Sequence, residues 1–160
     1  LRDMGAAMSP FNAFMFIQGL ETLHLRMREH SANGQKVAEY LQNHQLVERV
    51  AYPGISTGLN KERADKYLFG GCGGLQGFEI KGGIEAGKKF INNLEMLYHV
   101  ANIGDSRSLA IHPASTTHSQ LNETELTSAG VSAGYIRLSI GLEHIDDIIA
   151  DIDQALAKAE

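Results

Sequence analysis

Apolar residues recur at helical spacing in some stretches of the chain and at every second position in others, and these two periods divide it into helices and strands. From Pro10 onward, "FNAFMFIQGLETLHLRMREH" is apolar nearly all round at its start, then narrows to a stripe of Phe16, Leu20, Leu23 and Met27. Ser9 ahead of Pro10 predicts the helix start, with serine as cap and proline at the first helical position. A small domain does not surround one helix on every side. Phe11, Phe14 and Met15 therefore predict a second domain or subunit over this end. Asn33-Gly34 predict a kink or break, after which "QKVAEYLQNH" continues with Val37, Tyr40 and Leu41 on one side. "LVERVAYPG" reads as a strand ending at Pro53-Gly54, and "NKERADKYL" as a short amphipathic helix. Leu75 to Ile80 is a predicted strand, and "IEAGKKFINNLEML" a helix with Phe90, Leu94 and Leu97 on one face.

"HVANIGDS" and "SLAIHPA" predict two short strands joined by a tight turn. "NETELTSAG" predicts a helix capped by Asn122 and stopped by Gly130. "GYIRLSIGLE" alternates strictly and predicts a strand. A last helix follows, with Ile145, Ile148, Ile149, Ile152 and Leu156 as its stripe. Glu143, Asp146 and Asp147 fall in its first turn, where the helix dipole favours acidic groups. Four or five strands thus alternate with as many helices. The expected class is α/β, an α+β sandwich: a small, mostly antiparallel sheet with helices on one face and a long N-terminal helix. No repeat or internal boundary divides residues 1–160, so they form one domain.

Composition narrows the function classes. The 160 residues are 43% apolar and 21% charged, the balance of a soluble globular domain. A net charge of -5 argues against nucleic acid as a partner, which needs a basic surface. No apolar run reaches the roughly 20 residues of a membrane span. The single cysteine, Cys72, has no internal disulfide partner, which suits a reducing cytoplasm. "LRDMGAAMSP" lacks the order of a signal peptide and an initiator methionine, which predicts a piece of a longer chain.

In the strand "YIRLS", Ile136, Leu138 and Ile140 share one face; Tyr135, Arg137 and Ser139 share the other. Two readings of Arg137 stand on this pattern: a snorkelling residue on a solvated face, or a bidentate grip on a carboxylate or phosphate. "HPASTTHS" offers His112 and His118, whose spacing matches no familiar zinc pattern. Ser115, His118 and Asp105 lack the local context of a nucleophile elbow. Hydroxyls that satisfy their own loop backbone account for this stretch. "GGCGG" lacks the Lys-Ser/Thr end of a phosphate loop and reads as a turn into the next strand.

Four stretches, taken in order, carry a resemblance: "SPFNAFMFIQGLETLHLRMREHSANGQKVAEYL", "NIGDSRSLAIHPASTTHSQL", "SAGVSAGYIRLSIGLE" and "DDIIADIDQAL". Together they resemble the C-terminal domain of the Cys/Met-metabolism enzymes that use pyridoxal phosphate, over essentially the whole chain. The "NIGD" and "STTH" variants look most like the O-acetylhomoserine sulfhydrylase branch. Cystathionine enzymes and methionine γ-lyases more often have serine where Asn102 stands. The resemblance implies a small domain of a fold-type I enzyme, with the large cofactor-binding domain absent. It implies that Arg137 grips the α-carboxylate of the amino-acid substrate, and that Asn102 and Thr117 lie near the same group. It implies no Schiff-base lysine here, since no Ser-x-Thr-Lys stretch occurs. The reaction implied for the whole enzyme is γ-replacement: acetate leaves O-acetylhomoserine and sulfide or a thiol takes its place, giving homocysteine or methionine. A cytoplasmic homotetramer is implied, with an isolated chain that neither binds the cofactor nor turns over.

Overall fold

The computed structural model describes residues 3–160 and contains six α-helices and five strands among them. The strands are β1 (Val47–Ala51), β2 (Leu75–Ile80), β3 (Tyr98–His99), β4 (Leu109–Ile111) and β5 (Tyr135–Ser139). They form one sheet in the order β1-β2-β5-β4-β3. β1/β2, β2/β5 and β5/β4 are antiparallel, and the short edge strand β3 runs parallel to β4. The helices are α1 (Pro10–Glu21), α2 (Leu23–Gln42), α3 (Gly58–Tyr67), α4 (Gly83–Asn93), α5 (Glu123–Ser128) and α6 (Ile145–Ala157).

α2, α4 and α6 pack on one face of the sheet, as the alternation in β5 predicts. Ile136 and Leu138 of β5 and Phe78 of β2 meet Val37 and Leu41 of α2, Phe90 of α4, and Ile148, Ile152 and Leu156 of α6 in one cluster. All of these are at most 1% exposed. The Phe78 and Phe90 rings meet edge to face at 5.5 Å between centroids, a favoured aromatic geometry. Among the described residues, no helix is long and apolar enough to cross a membrane.

The predicted caps are present. The Ser9 hydroxyl accepts from the Asn12 N–H at 3.2 Å. Asn122 and Glu125 exchange reciprocal side-chain-to-backbone bonds at 2.9 and 3.0 Å, a capping box around α5. Gly130 follows with φ +73°, a conformation that glycine takes without strain.

Several expectations are corrected. The break in the N-terminal helix falls at Thr22, not at Asn33-Gly34. Asn33 and Gly34 are buried mid-helix, and the Asn33 amide is spent on tertiary bonds to the carbonyls of Gly141 and Glu143. α3 forms where the short helix is predicted but buries none of its residues. α4 ends at Asn93, so Leu94 and Leu97 lie beyond it; the buried carboxylate of Asp151 accepts from the N–H groups of Glu95, Met96 and Leu97 at 2.8, 2.9 and 2.9 Å and fixes that turn. No tight turn joins β3 to β4. Residues 100–108 make a longer loop, which lets the two strands run parallel. Glu143 precedes α6 and leaves the dipole position to Asp146 and Asp147.

Candidate functional site

The sheet face away from α2, α4 and α6 carries Arg137 near its centre. Antiparallel pairing sets Gly77 of β2 on one side of it and Ile111 of β4 on the other. Gly77 is needed here: a Cβ would lie 2.1 Å from the Tyr135 hydroxyl oxygen, so the Tyr135 ring lies over bare backbone. Arg137 is half-buried as a residue, and its Nη2 donates to the carbonyl of Asn102 at 3.2 Å. It has no ion-pair partner among the described residues. Its neighbours on the same face differ. Glu79 is taken by Arg49 at 2.6 Å, and Ser139 Oγ by the Gly104 N–H at 3.1 Å.

Of the three predicted site residues, the fold brings two together. Asn102 lies in the exposed loop 100–108, and its backbone carbonyl is the group that meets Arg137. Thr117 is exposed, and its hydroxyl bonds to the ring of His118 at 2.9 Å. The other polar residues of "HPASTTHS" are engaged elsewhere. His112 is fully buried. Its Nε2–H donates to the Ala133 carbonyl, and its Nδ1 pairs with the Ser115 hydroxyl, both at 2.8 Å. A carbonyl only accepts, which fixes the tautomer. Asp105 accepts from the Arg107 N–H at 3.0 Å. Ser115, His118 and Asp105 thus each have a different partner and form no triad.

Sequence reasoning passed over the residues that place the Asn102 loop. Glu143 Oε1 accepts from the Ser108 N–H at 2.7 Å, and its Oε2 from the Ser108 hydroxyl at 2.9 Å. The Leu142 N–H donates to the Ser106 carbonyl at 2.8 Å. Gly141 has no room for a side chain: a Cβ would lie 2.5 Å from Ser106 O. The available signal was the motif "RLSIGLE" itself, in which Ser139, Gly141 and Glu143 follow Arg137 at every second position.

The lysines answer whether this chain alone would cradle pyridoxal phosphate. All seven are exposed. Lys61, Lys88 and Lys158 pair with Asp65, Glu85 and Glu95. Lys81 and Lys89 donate to the carbonyls of Gln45 and Glu160. Lys66 lies over Tyr67, and Lys36 lines a groove between α2 and α6. None of these partners belongs to the Arg137 face. Arg137 is a cation on that face with a single backbone bond among the described residues.

Comparison with known proteins gives the family. The family model for Cys/Met metabolism PLP-dependent enzymes matches residues 1–157. The chain is 59% identical over 157 residues to the O-acetyl-L-homoserine sulfhydrylase of Leptospira meyeri, a match covering 98% of this chain and 36% of that protein. It is 44% identical to the L-methionine gamma-lyase of Fusobacterium nucleatum, covering 99% of this chain and 40% of the other. A crystal structure described as an O-acetylhomoserine (thiol)-lyase from Campylobacter jejuni, carrying a pyridoxyl-lysine-5'-monophosphate, superposes with a TM-score of 0.87 at 45% identity, over 98% of this chain and 37% of that one. The chain therefore spans well under half the length of these relatives. With the match running from end to end of this sequence and through its fold, the chain belongs to the Cys/Met metabolism family of PLP-dependent enzymes.

Proposed function

We propose that this chain is the substrate-carboxylate-binding domain of an O-acetylhomoserine sulfhydrylase whose cofactor-bearing part lies outside residues 1–160. The observation that carries the reading is Arg137: a half-buried residue at the centre of a sheet face, whose guanidinium has one backbone bond and no ion-pair partner among the described residues. A planar fork with unspent donors suits a carboxylate. In the reaction, Arg137 holds the α-carboxylate of O-acetylhomoserine and the Asn102 loop restricts the guanidinium; Thr117, bonded to His118 in this chain, enters only through the family resemblance. Fixing that end orients the amino acid for reaction. The electron-sink chemistry belongs to the cofactor. Sulfide or a thiol then replaces acetate, giving homocysteine or methionine. The first helix would pack on the cofactor-bearing part. The isolated chain is inactive and leaves the absorbance band of added stoichiometric pyridoxal phosphate at its free position.

The test is Arg137→Ala in the full-length protein. The expected loss in kcat/KM for O-acetyl-L-homoserine is about 2–4 kcal/mol, read mainly in KM. An unchanged kcat/KM returns Arg137 to a solvated surface role. The similarity to a methionine gamma-lyase supports a second reaction on the same grip. Assays with O-acetyl-L-homoserine plus sulfide, set against methionine or cystathionine alone, separate the two. Failure to form homocysteine rejects the sulfhydrylase.

A further inference from the structure

Loop 100–108 carries the carbonyl that meets Arg137, yet residues 101–107 are all exposed and belong to no helix or strand. Apart from the Asp105 bond to the Arg107 N–H, the loop is held by bonds to other segments. Those bonds come from the five residues after Leu138. Ser139 Oγ holds the Gly104 N–H, the Leu142 N–H holds Ser106 O, and the Glu143 carboxylate takes both the N–H and the hydroxyl of Ser108. Ser108 is fully buried, and its oxygen also accepts from the Gly141 N–H at 2.9 Å. On the opposite side the same segment is bolted to α2. Nδ1–H of the buried His30 donates to Ile140 O at 2.7 Å, and Asn33 donates to Gly141 O at 3.2 Å and Glu143 O at 3.0 Å. A chain of bonds thus runs from the core through Glu143 to the loop above the guanidinium.

We infer that Glu143 is a positioning residue for substrate binding: through Ser108 it sets the loop that holds Arg137 in its carboxylate-gripping rotamer. This rests on the carboxylate reading of Arg137 given above. A charged bidentate contact to a buried N–H and hydroxyl is among the stronger hydrogen-bond arrangements. Its loss leaves the Ser108 N–H buried without an acceptor and frees the loop. Glu143 touches neither Arg137 nor the space before it, so it acts on the grip and not on the reacting atoms.

The experiment uses the full-length protein with O-acetyl-L-homoserine and sulfide. Glu143→Ala is expected to raise KM for the amino acid by roughly tenfold to a hundredfold, the scale of a small misplacement, with a smaller change in kcat. KM for sulfide stays as in the parent. Glu143→Gln keeps an acceptor for the N–H and restores most of the affinity. Ser108→Ala, which removes the hydroxyl's bonds to Glu143 and to the Gly141 N–H but keeps the Ser108 N–H on Glu143, gives a smaller rise and is the second variant where Glu143→Ala folds poorly by thermal unfolding. In an Arg137→Ala background, Glu143→Ala adds little, because the two act as one unit. A full additive loss in that background overturns the inference and leaves the Arg137 reading intact. So does an unchanged KM in both Glu143→Ala and Ser108→Ala. An Arg137→Ala variant with unchanged KM overturns the reading and the inference together.

Discussion

Gln76 is 3% exposed on the helix side of β2, and neither its side-chain nitrogen nor its oxygen has a hydrogen-bond partner among the described residues. A buried amide without partners loses its hydration and gains nothing in return. Gln76→Met keeps the length and removes the polar atoms. It is expected to stabilise the domain by about 1–2 kcal/mol, read as a higher urea midpoint at unchanged slope. A lower midpoint shows that the amide bonds to buried water. His112 makes the opposite case of a polar group fully used. Burial pushes its imidazole below the ordinary value, a shift only partly offset by the bond to Ala133. The unfolded chain takes up the proton near the ordinary histidine value of about 6.5; the folded chain does so only at lower pH. The contribution is therefore complete above that value and is lost as pH falls through the folded value. Urea unfolding of the parent and His112→Gln at pH 7 and pH 5 tests this, with the parent losing more stability between the two. Equal losses place the titration elsewhere. Neither residue's state is visible from sequence, because burial on both sides of a ring or an amide is set by tertiary neighbours.

At the scale of elements, periodicity located what a single face decides. The stripe of α6 and the alternation of β5 matched, since the aliphatic side of each faces the core. The errors fell where a tertiary bond outweighs local propensity. Asn33 reads as a breaker, yet its amide is used between α2 and the segment after β5. Leu94 and Leu97 continue a helical period past the end of α4, where Asp151 claims the turn's N–H groups for another arrangement. Glu143 reads as a dipole partner because its bond to Ser108 spans 35 residues. Arg137 alone of the predicted site was legible by pattern, as a cation on the polar side of a strand. Its role, and those of Asn102 and Thr117, entered through the family resemblance. The Asp151 latch gives a direct test. Asp151→Ala leaves three backbone N–H groups without their acceptor and detaches the α4–β3 turn from α6. The expected cost is about 2–4 kcal/mol in equilibrium unfolding, larger than a surface substitution. A cost under about 0.5 kcal/mol shows that water replaces the carboxylate there.

For the molecule as a whole, the uneven feature is α1. None of its residues is buried, although Phe11, Phe14, Met15, Phe16, Ile17 and Leu20 are each 54–69% exposed. The core under α2, α4 and α6 closes without them. Contiguous apolar patches of this kind are uncommon on soluble monomers and mark surfaces that are covered in the working protein. Two consequences separate cleanly. In the 160-residue chain, Phe11→Ser with Phe14→Ser removes nothing from the core. The unfolding free energy is expected to hold within about 0.5 kcal/mol per site, while sedimentation shows less self-association. In the full-length protein, where the first helix is proposed to pack on the cofactor-bearing part, the same pair removes buried aromatic area. It is expected to lower thermal stability clearly, since truncating a buried aromatic costs on the order of 3–5 kcal/mol. Equal, small effects in both proteins would show that α1 stays uncovered. A large effect in the short chain would mean that α1 folds back onto its own domain.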